Sequence, residues 1–534
     1  MSAQSESLDA YLKARRELIA EDRGLRSDGA AIAHMSGLEE LAEQNIRALR
    51  KKEIDNVWKA EHDAIPHVFP GMEFLTARGL IEKSEIFQLL KTMPKGALLH
   101  AHIDATVDVR TLLRLAEKEP ALHIRIPTKL TLDNYTTVIP QFLALPKHQF
   151  VSGTIFGDSY VPDTWIRLQD ARSSFPQKLG GEKGFDEWVI RSITINPTEA
   201  YVTHNTVEKI WQKFQSCFQA AYGLIHCETV YAGYLRESLL TAINDGISYA
   251  ELRVTFLDKL MVDKNGELTL AHRDWLIIFE SVVAGVKEEL KAEGREDQFF
   301  GARLIYTTLR FISNEELREA LDDCIALKQE FPHLIAGFDL VGDENVLKPL
   351  LDYIEPLLEF QQKTKELNLD IPFIFHAGET LGDGDSVDNN LYDALLLGTK
   401  RIGHGYSLVK HPHLMKICRE QSICLEVCPI SNEILRLTSS MPMHPLPILL
   451  NHGVPVTLNN DDPSIFGNFG LSYDFFQVLI SSEVSGLMTL ADIARRSFTY
   501  STLEETQKAQ AIALWEKHWK HFVEKVAAFK LDGA

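Results

Sequence analysis

The sequence predicts an α/β protein built on a (β/α)8 TIM barrel, and three observations carry that expectation. From about Met93 onward, short apolar runs alternate with longer helix-like segments, as parallel βα units do. The runs number eight: Ala97-Leu98-Leu99, Ser248–Val254, Ala302–Tyr306, Leu334–Val341, Ile371–Phe375, Arg401-Ile402-Gly403, Ile423–Val427 and Val454–Leu458. Histidines and carboxylates close several of them, where a barrel places its active site. A doubly wound sheet is the structural competitor. The chain's 534 residues suit one oversized barrel with additions as well as three modest domains.

The elements follow in order. Residues 1–90 read as a helical arm. Ser36-Gly-Leu-Glu39 has the form of a capping box, with Leu38, Leu41 and Leu49 following at roughly helical spacing. That stripe needs a partner, either the main body or another subunit, and the second option makes the arm a dimerisation segment. Residues 91–534 form the barrel unit. About 145 residues separate the first apolar run from the second, too many for one helix, so an inserted subdomain is expected at about 120–205. Within it, Gln177–Gly184 reads as an exposed Gly/Lys-rich loop. Near the end, Ser501-Thr-Leu-Glu504 suggests a second capping box. Ile512, Trp515, Trp519, Phe522, Val526 and Phe529 then recur at helical spacing, as a core-facing stripe does.

Composition narrows the function classes. A 45% hydrophobic and 24% charged chain is an ordinary globular protein. The net charge of −20 repels phosphate backbones and anionic lipid, which argues against nucleic-acid and membrane-surface partners. No run of 18 apolar residues occurs, and the first 24 residues hold no apolar signal-peptide core, so a cytoplasmic location is expected. The six cysteines all lie beyond residue 216 and read as reduced thiols.

The chemistry sits at the strand ends. His100-Ala-His102-Ile-Asp104 closes the first run, and strand alternation would point His100, His102 and Asp104 to one side. Ile374-Phe-His376-Ala-Gly-Glu379 closes the fifth run, Arg401-Ile-Gly-His404-Gly-Tyr406 the sixth, and Leu458-Asn-Asn-Asp461-Asp462-Pro463 the eighth. One such ending is common as a polar loop cap; four together are hard to obtain that way. His100, His102, His376 and Asp461 supply three imidazoles and a carboxylate, a donor set suited to zinc with one position left for water. Glu379 and His404 are left beside it, as residue types that transfer protons. Glu251, in Tyr249-Ala-Glu-Leu-Arg253, reads as a strand-end residue with a supporting role. No phosphate-cradling P-loop or GxGxxG motif is present.

These residues, with Met93-Pro-Lys-Gly96, Cys428-Pro-Ile-Ser-Asn432 and Ala336-Gly-Phe-Asp-Leu-Val-Gly342, resemble the motif set of metal-dependent adenosine deaminases of the amidohydrolase type. The long insertion and the helical arm resemble the adenosine deaminase 2 / adenosine deaminase-related growth factor subfamily. The resemblance covers roughly residues 90–530 in order. It implies one zinc ion per subunit on His100, His102, His376 and Asp461, and hydrolysis of adenosine and 2′-deoxyadenosine to release ammonia. Glu379 would protonate the purine N1. His404 would orient and deprotonate the attacking water, with Asp461 assisting. Asp462 would hydrogen-bond N7, the Gly342 backbone the N3 edge, and Asp104 the ribose 5′-hydroxyl. Trp211 matches a pocket-lining tryptophan, although core packing explains it nearly as well. The partners implied are a nucleoside substrate and a second copy of the chain. Secreted relatives carry a signal peptide and a disulfide in the insertion; neither is seen here. The alternatives are a deaminase of another 6-aminopurine, such as AMP or an N6-substituted adenosine, and a growth-factor-like binding protein.

Overall fold

The computed structural model describes residues 3–63 and 65–529. Its centre is a ring of eight parallel strands. In chain order the strands are β1 (Gly96–Leu98), β2 (Leu122–Arg125), β3 (Gln141–Ala144), β4 (Ile166–Arg167), β5 (Ile247–Thr255), β6 (Leu260–Val262), β7 (Leu268–Ala271), β8 (Gly301–Leu309), β9 (Ile335–Val341), β10 (Ile374–Ala377), β11 (Arg401–His404), β12 (Cys424–Val427) and β13 (Val456–Leu458). Two four-stranded parallel sheets, β1-β5-β8-β9 and β10-β11-β12-β13, make the ring. Bridges close both seams, Phe338 with Phe373 between β9 and β10, and Ala101 with Asp461 between β13 and β1. Each apolar run predicted as a strand overlaps one of these eight. The reason is that parallel strands covered on both faces carry continuous apolar sequence.

Residues 120–205, read from the sequence as an inserted subdomain, hold an antiparallel sheet in the order β3-β2-β4 and the helix Gly181–Ile193; the helices Val207–Ile225 and Glu228–Asn244 follow before β5. The stretch 177–184 is not the loop expected: it holds a 3-10 turn at Gln177–Leu179 and the start of the Gly181–Ile193 helix. Gly180 and Gly181, at φ +96° and +59°, make the bend between them, which reads in sequence as loop composition.

In the arm, Ser36 caps the helix Gly37–Glu53 and Glu39 closes the capping box, as predicted. The buried face differs from the expected stripe. Ala42, Ile46 and Leu49 are buried, whereas Leu38 and Leu41 are exposed. The helix is turned toward the body by polar pins: Asn45 Nδ2 donates to the Val526 carbonyl at 3.1 Å, and Glu43 accepts from Met488 N at 3.2 Å. The first helix, Ala3–Gly24, presents Leu8, Tyr11, Leu12 and Leu18 as exposed residues. The last helix, Glu505–Ala527, buries Trp515 and Trp519, which stack at 5.4 Å. It starts three residues later than the motif Ser501–Glu504 suggests. Ser501 instead ends the preceding helix, Leu487–Tyr500, donating to the Phe498 carbonyl at 2.7 Å, and Glu504 is the N-cap. Among the described residues no helix is long and apolar enough to cross a membrane.

Candidate active site

The site is assembled where β1, β10, β11 and β13 end. Leu99 and His100 donate their backbone N–H groups to Asn459 Oδ1, both at 3.0 Å, which registers the end of β1 against that of β13. His100 Nε2 then lies 3.2 Å from Asp461 Oδ1, and His102 Nε2 lies 3.5 Å from the same oxygen. The ring of His376 from β10 is centred 4.6 Å from that of His100, and the ring of His404 from β11 is 4.7 Å from it. Gly403 is what permits this crowding. A Cβ there would stand 3.1 Å from His100 Cε1 and 3.2 Å from His376 Cα. His404 and Asp461 both hold φ at +60°, a region that non-glycine residues occupy at a cost, and strain of this kind gathers at functional sites.

Asp104 departs from the strand-alternation argument. The chain turns into a 3-10 segment at Ile103–Ala105 directly after His102. Asp104 therefore leaves the line of the two histidines, and its Oδ1 stands 3.5 Å from His226 Nε2.

Behind the histidines lies a buried ionic layer. Glu426 Oε2 accepts from His100 Nδ1 at 2.8 Å, and Asp339 Oδ2 accepts from His376 Nδ1 at 2.7 Å. Arg253 joins the two carboxylates, donating from Nε to Asp339 and from Nη2 to Glu426, both at 2.8 Å. Arg401 spans Glu426 at 2.6 Å and Glu251 at 2.7 Å. Glu251 sits in the middle of β5 rather than at its end, and its other oxygen accepts from Thr502. All five charged side chains are buried. Burial raises the Glu426 carboxyl, but Arg253 and Arg401 outweigh it and hold the group well below the usual range. By accepting at both Nδ1 atoms, the layer leaves the Nε2 atoms of His100 and His376 to the site.

Glu379 follows β10. Its backbone N–H donates to Glu344 Oε1 at 3.0 Å, and its Oε1 lies 3.5 Å from His404 Nε2. Burial, and then the negative neighbours Asp461 and Glu344, push the Glu379 carboxyl well above the ordinary value. Asp462 is pushed up by burial and by Asp461. For Asp461 burial acts upward, but His404 and His100 outweigh it and hold the group low. Asp461 Oδ2 also accepts from Ser431 Oγ at 2.7 Å. Burial drives His102 and His404 down to about 3, which makes both rings neutral ligands or hydrogen-bonding groups.

The donors fit a metal ion. His100 Nε2 and Asp461 Oδ1 are buried with no hydrogen-bond partner, although each could have one. Ligand atoms of His100, His102 and His376 lie within 4.8 Å of one another, and so do those of His100, His404, Cys428 and Asp461. Two orphaned buried polar atoms facing each other are costly unless a cation sits between them.

The remaining predicted residues are Gly342, Asp462 and Trp211. Gly342, directly after β9, has φ +113°, and a Cβ there would meet Leu347 Cδ1 at 2.7 Å. Asp462 is buried, and its Oδ1 is unpartnered. Trp211, on the helix Val207–Ile225, packs edge-on to Phe214 at 5.1 Å. Phe214 in turn stacks on Phe466 at 5.4 Å, in the turn Pro463–Phe466 after Asp462, and the indole N–H has no partner. Sequence reasoning gave no role to Asp339, Arg253, Ser431 and Asn432, although it quoted the motifs that contain them, and it missed Glu426 and His444. A charge inside an apolar strand, as in Phe338-Asp-Leu-Val341 or Leu425-Glu-Val427, was the available signal.

Eight parallel strands closed into a barrel, with histidines and carboxylates converging at the strand ends, define an amidohydrolase-type fold. The family model for adenosine deaminase matches residues 192–517. Human adenosine deaminase 2 is 32% identical over 519 residues, covering 96% of this chain and 93% of the relative. Adenosine deaminase 2-A of Danio rerio is 34% identical over 470 residues, covering 87% and 86%. The chain belongs to the adenosine deaminase family, in its adenosine deaminase 2 subfamily. The solved structure of an adenine deaminase from Arthrobacter aurescens shares the fold, with a TM-score of 0.53 and 21% identity over 80% of this chain and 99% of that one.

Proposed function

We propose that the protein is a zinc-dependent hydrolase that deaminates adenosine, and 2′-deoxyadenosine, to the corresponding inosine and ammonia. The observation that supports it best is the pair of orphaned atoms, His100 Nε2 and Asp461 Oδ1, facing each other beside His102 and His376, with Glu379 and His404 next to them. His100, His102, His376 and Asp461 would hold the ion, one per subunit; nitrogen donors with one carboxylate suit zinc. A bound zinc ion brings the pKa of a water from ~15.7 down to ~7, so the nucleophile forms near neutral pH.

The chain's own groups do the rest. Glu379, kept protonated by its surroundings, gives its proton to purine N1 as the attacking oxygen closes on C6. His404 orients that oxygen. Asp462, held neutral, donates to N7. The Gly342 backbone meets the N3 edge, and Asp104 the 5′-hydroxyl. A 5′-phosphate dianion would face the Asp104 carboxylate, which disfavours AMP. Trp211 would line the pocket beyond the turn at Phe466. The substrate is a small neutral nucleoside.

Replacing Glu379 by Ala tests the reading. The variant should keep its zinc and lose at least ~10²-fold in adenosine turnover, the contribution typical of a positioned acid. Near-normal turnover would remove Glu379 from the role. Residues 1–90 form an arm that we assign to homodimerisation, because Leu8, Tyr11, Leu12 and Leu18 on its first helix are 57%, 65%, 38% and 67% exposed. Light scattering should give twice the chain mass for the full protein and a smaller mass when these four are Ser.

A further inference from the structure

The hydrogen bonds behind His404 have a direction set by one backbone amide. Leu446 N–H donates to His444 Nδ1 at 3.0 Å. A backbone amide can only donate, so His444 Nδ1 carries the lone pair and the ring proton sits on Nε2. His444 Nε2 lies 3.1 Å from Asn432 Oδ1, and an N–H at that position requires an oxygen acceptor. The same orientation turns the Asn432 amide nitrogen toward His404 Nδ1, 3.3 Å away. An NH2 group donates, so His404 Nδ1 accepts, and the His404 proton is left on Nε2. That nitrogen faces Glu379 Oε1 at 3.5 Å and Asp461 Oδ2 at 3.8 Å.

The relay is held on every side. Asn432 and His444 are 1% and 4% exposed. The Asn432 carbonyl accepts from the amides of Leu437 at 2.9 Å and Thr438 at 3.1 Å, which ties down the end of the helix Pro429–Ile434. The His444 ring packs edge-on against Tyr406 at 5.7 Å.

We infer that this relay locks His404 as its Nε2–H tautomer, so that His404 donates a hydrogen bond to the attacking oxygen and does not take its proton; Asn432 and His444 are positioning residues. The inference rests on the deaminase reading for the identity of that oxygen, and on geometry alone for the tautomer. In the addition step the oxygen forms its bond to C6. The C6–N1 π pair moves to N1, which takes the proton from Glu379, and His404 keeps its proton throughout. In the collapse the C6–N bond breaks, and the amino group leaves as ammonia with the proton lost by the C6 hydroxyl. Glu379 regains its proton from the next water.

The experiment uses the full-length, zinc-loaded protein with 15N-labelled histidine. His404 is assigned by the signals lost in His404→Gln. The expected result is a protonated, pyrrole-type Nε2 and an unprotonated, pyridine-type Nδ1. Asn432→Asp replaces the amide by a group that accepts from both neighbours, so it should move the His404 proton to Nδ1. It should also lower kcat by about 10²–10⁴-fold with KM within ~3-fold, as a wrong histidine tautomer does elsewhere. His444→Gln can still accept from Leu446 N and donate to Asn432, and should stay within ~10-fold of the parent, whereas His444→Leu should fall with Asn432→Asp. A parent His404 protonated on Nδ1 overturns the inference. So does Asn432→Asp with parental kcat, or His444→Gln as slow as His444→Leu. Should Asn432→Asp fail to fold, the parent spectrum and the His444 pair still decide. Absent ammonia release from the parent protein would sink the deaminase reading alone, because the tautomer is read without substrate.

Discussion

Glu426→Gln probes the ionic layer behind the histidines. Glu426 accepts three hydrogen bonds, at 2.8 Å from His100, 2.8 Å from Arg253 and 2.6 Å from Arg401, with no solvent at any of them. Glutamine has one acceptor oxygen. If that oxygen serves His100 and Arg253, the NH2 faces the Arg401 Nε–H, donor against donor. If it is flipped, two donors are orphaned. Breaking a buried ion pair by removing one partner costs about 3–5 kcal/mol. Each guanidinium here keeps one carboxylate, Asp339 for Arg253 and Glu251 for Arg401, so the lower end, about 3 kcal/mol, applies. At roughly 2 °C per kcal/mol for a large domain, the metal-free Tm should drop by about 6 °C. The His100 ring also loses the acceptor that fixes its orientation, which should weaken zinc binding by about 10–100-fold. Thermal melts of the metal-free protein and zinc competition with a chelator separate the two effects. A Tm within ~1 °C of the parent, together with zinc affinity within ~2-fold, would refute the claim that Glu426 organises the site.

Two further outcomes follow from the geometry. Gly403→Ala places a methyl 3.1 Å from His100 Cε1 and 3.2 Å from the His376 backbone. Overpacking of this kind costs about 1–3 kcal/mol, so a lower Tm and loosened zinc are expected, and an unchanged zinc affinity would show that the ligand rings have room to shift. Glu433, buried beside Tyr201, is pushed up to about 8 by burial. Below pH ~4.5 it is neutral folded or unfolded. Between ~4.5 and ~8 only the unfolded chain ionises, so stability falls by up to ~1.4 kcal/mol per pH unit, and above ~8 this slope ends. Glu433→Gln should remove that slope, gaining Tm on the parent from pH 5 to pH 8; parallel Tm curves would show that Glu433 is ionised in the folded protein.

The strand ends were readable because of burial. An apolar run covered on both faces stays apolar until it emerges, so the first polar residues after it mark the mouth of the barrel, as at His100, His376, His404 and Asp461. The helix boundaries were less readable. Ser501-Thr-Leu-Glu504 matches a capping box, yet Ser501 bonds backward to Phe498, and only the packing of two successive helices decides which of them a serine caps. Asp104 was placed on a strand that had already turned into a 3-10 segment, because short barrel strands end without a breaker in the sequence. The arm helix carried leucines on two faces, and the pins at Asn45 and Glu43 selected the one that is buried.

By itself, the sequence determined the barrel and the family, and it named the residues that the structure gathers at the strand ends. Those depend on local pattern and on residue types at strand ends. Tertiary structure alone decided how these groups are oriented. Glu426 reaches His100 across 326 residues of chain, Asp339 meets His376, and a backbone amide at Leu446 sets the proton on His404 through two intervening side chains. The physical reason is that a hydrogen bond's direction, and the charge balance of a buried layer, belong to groups on different strands and loops that meet only when the barrel closes.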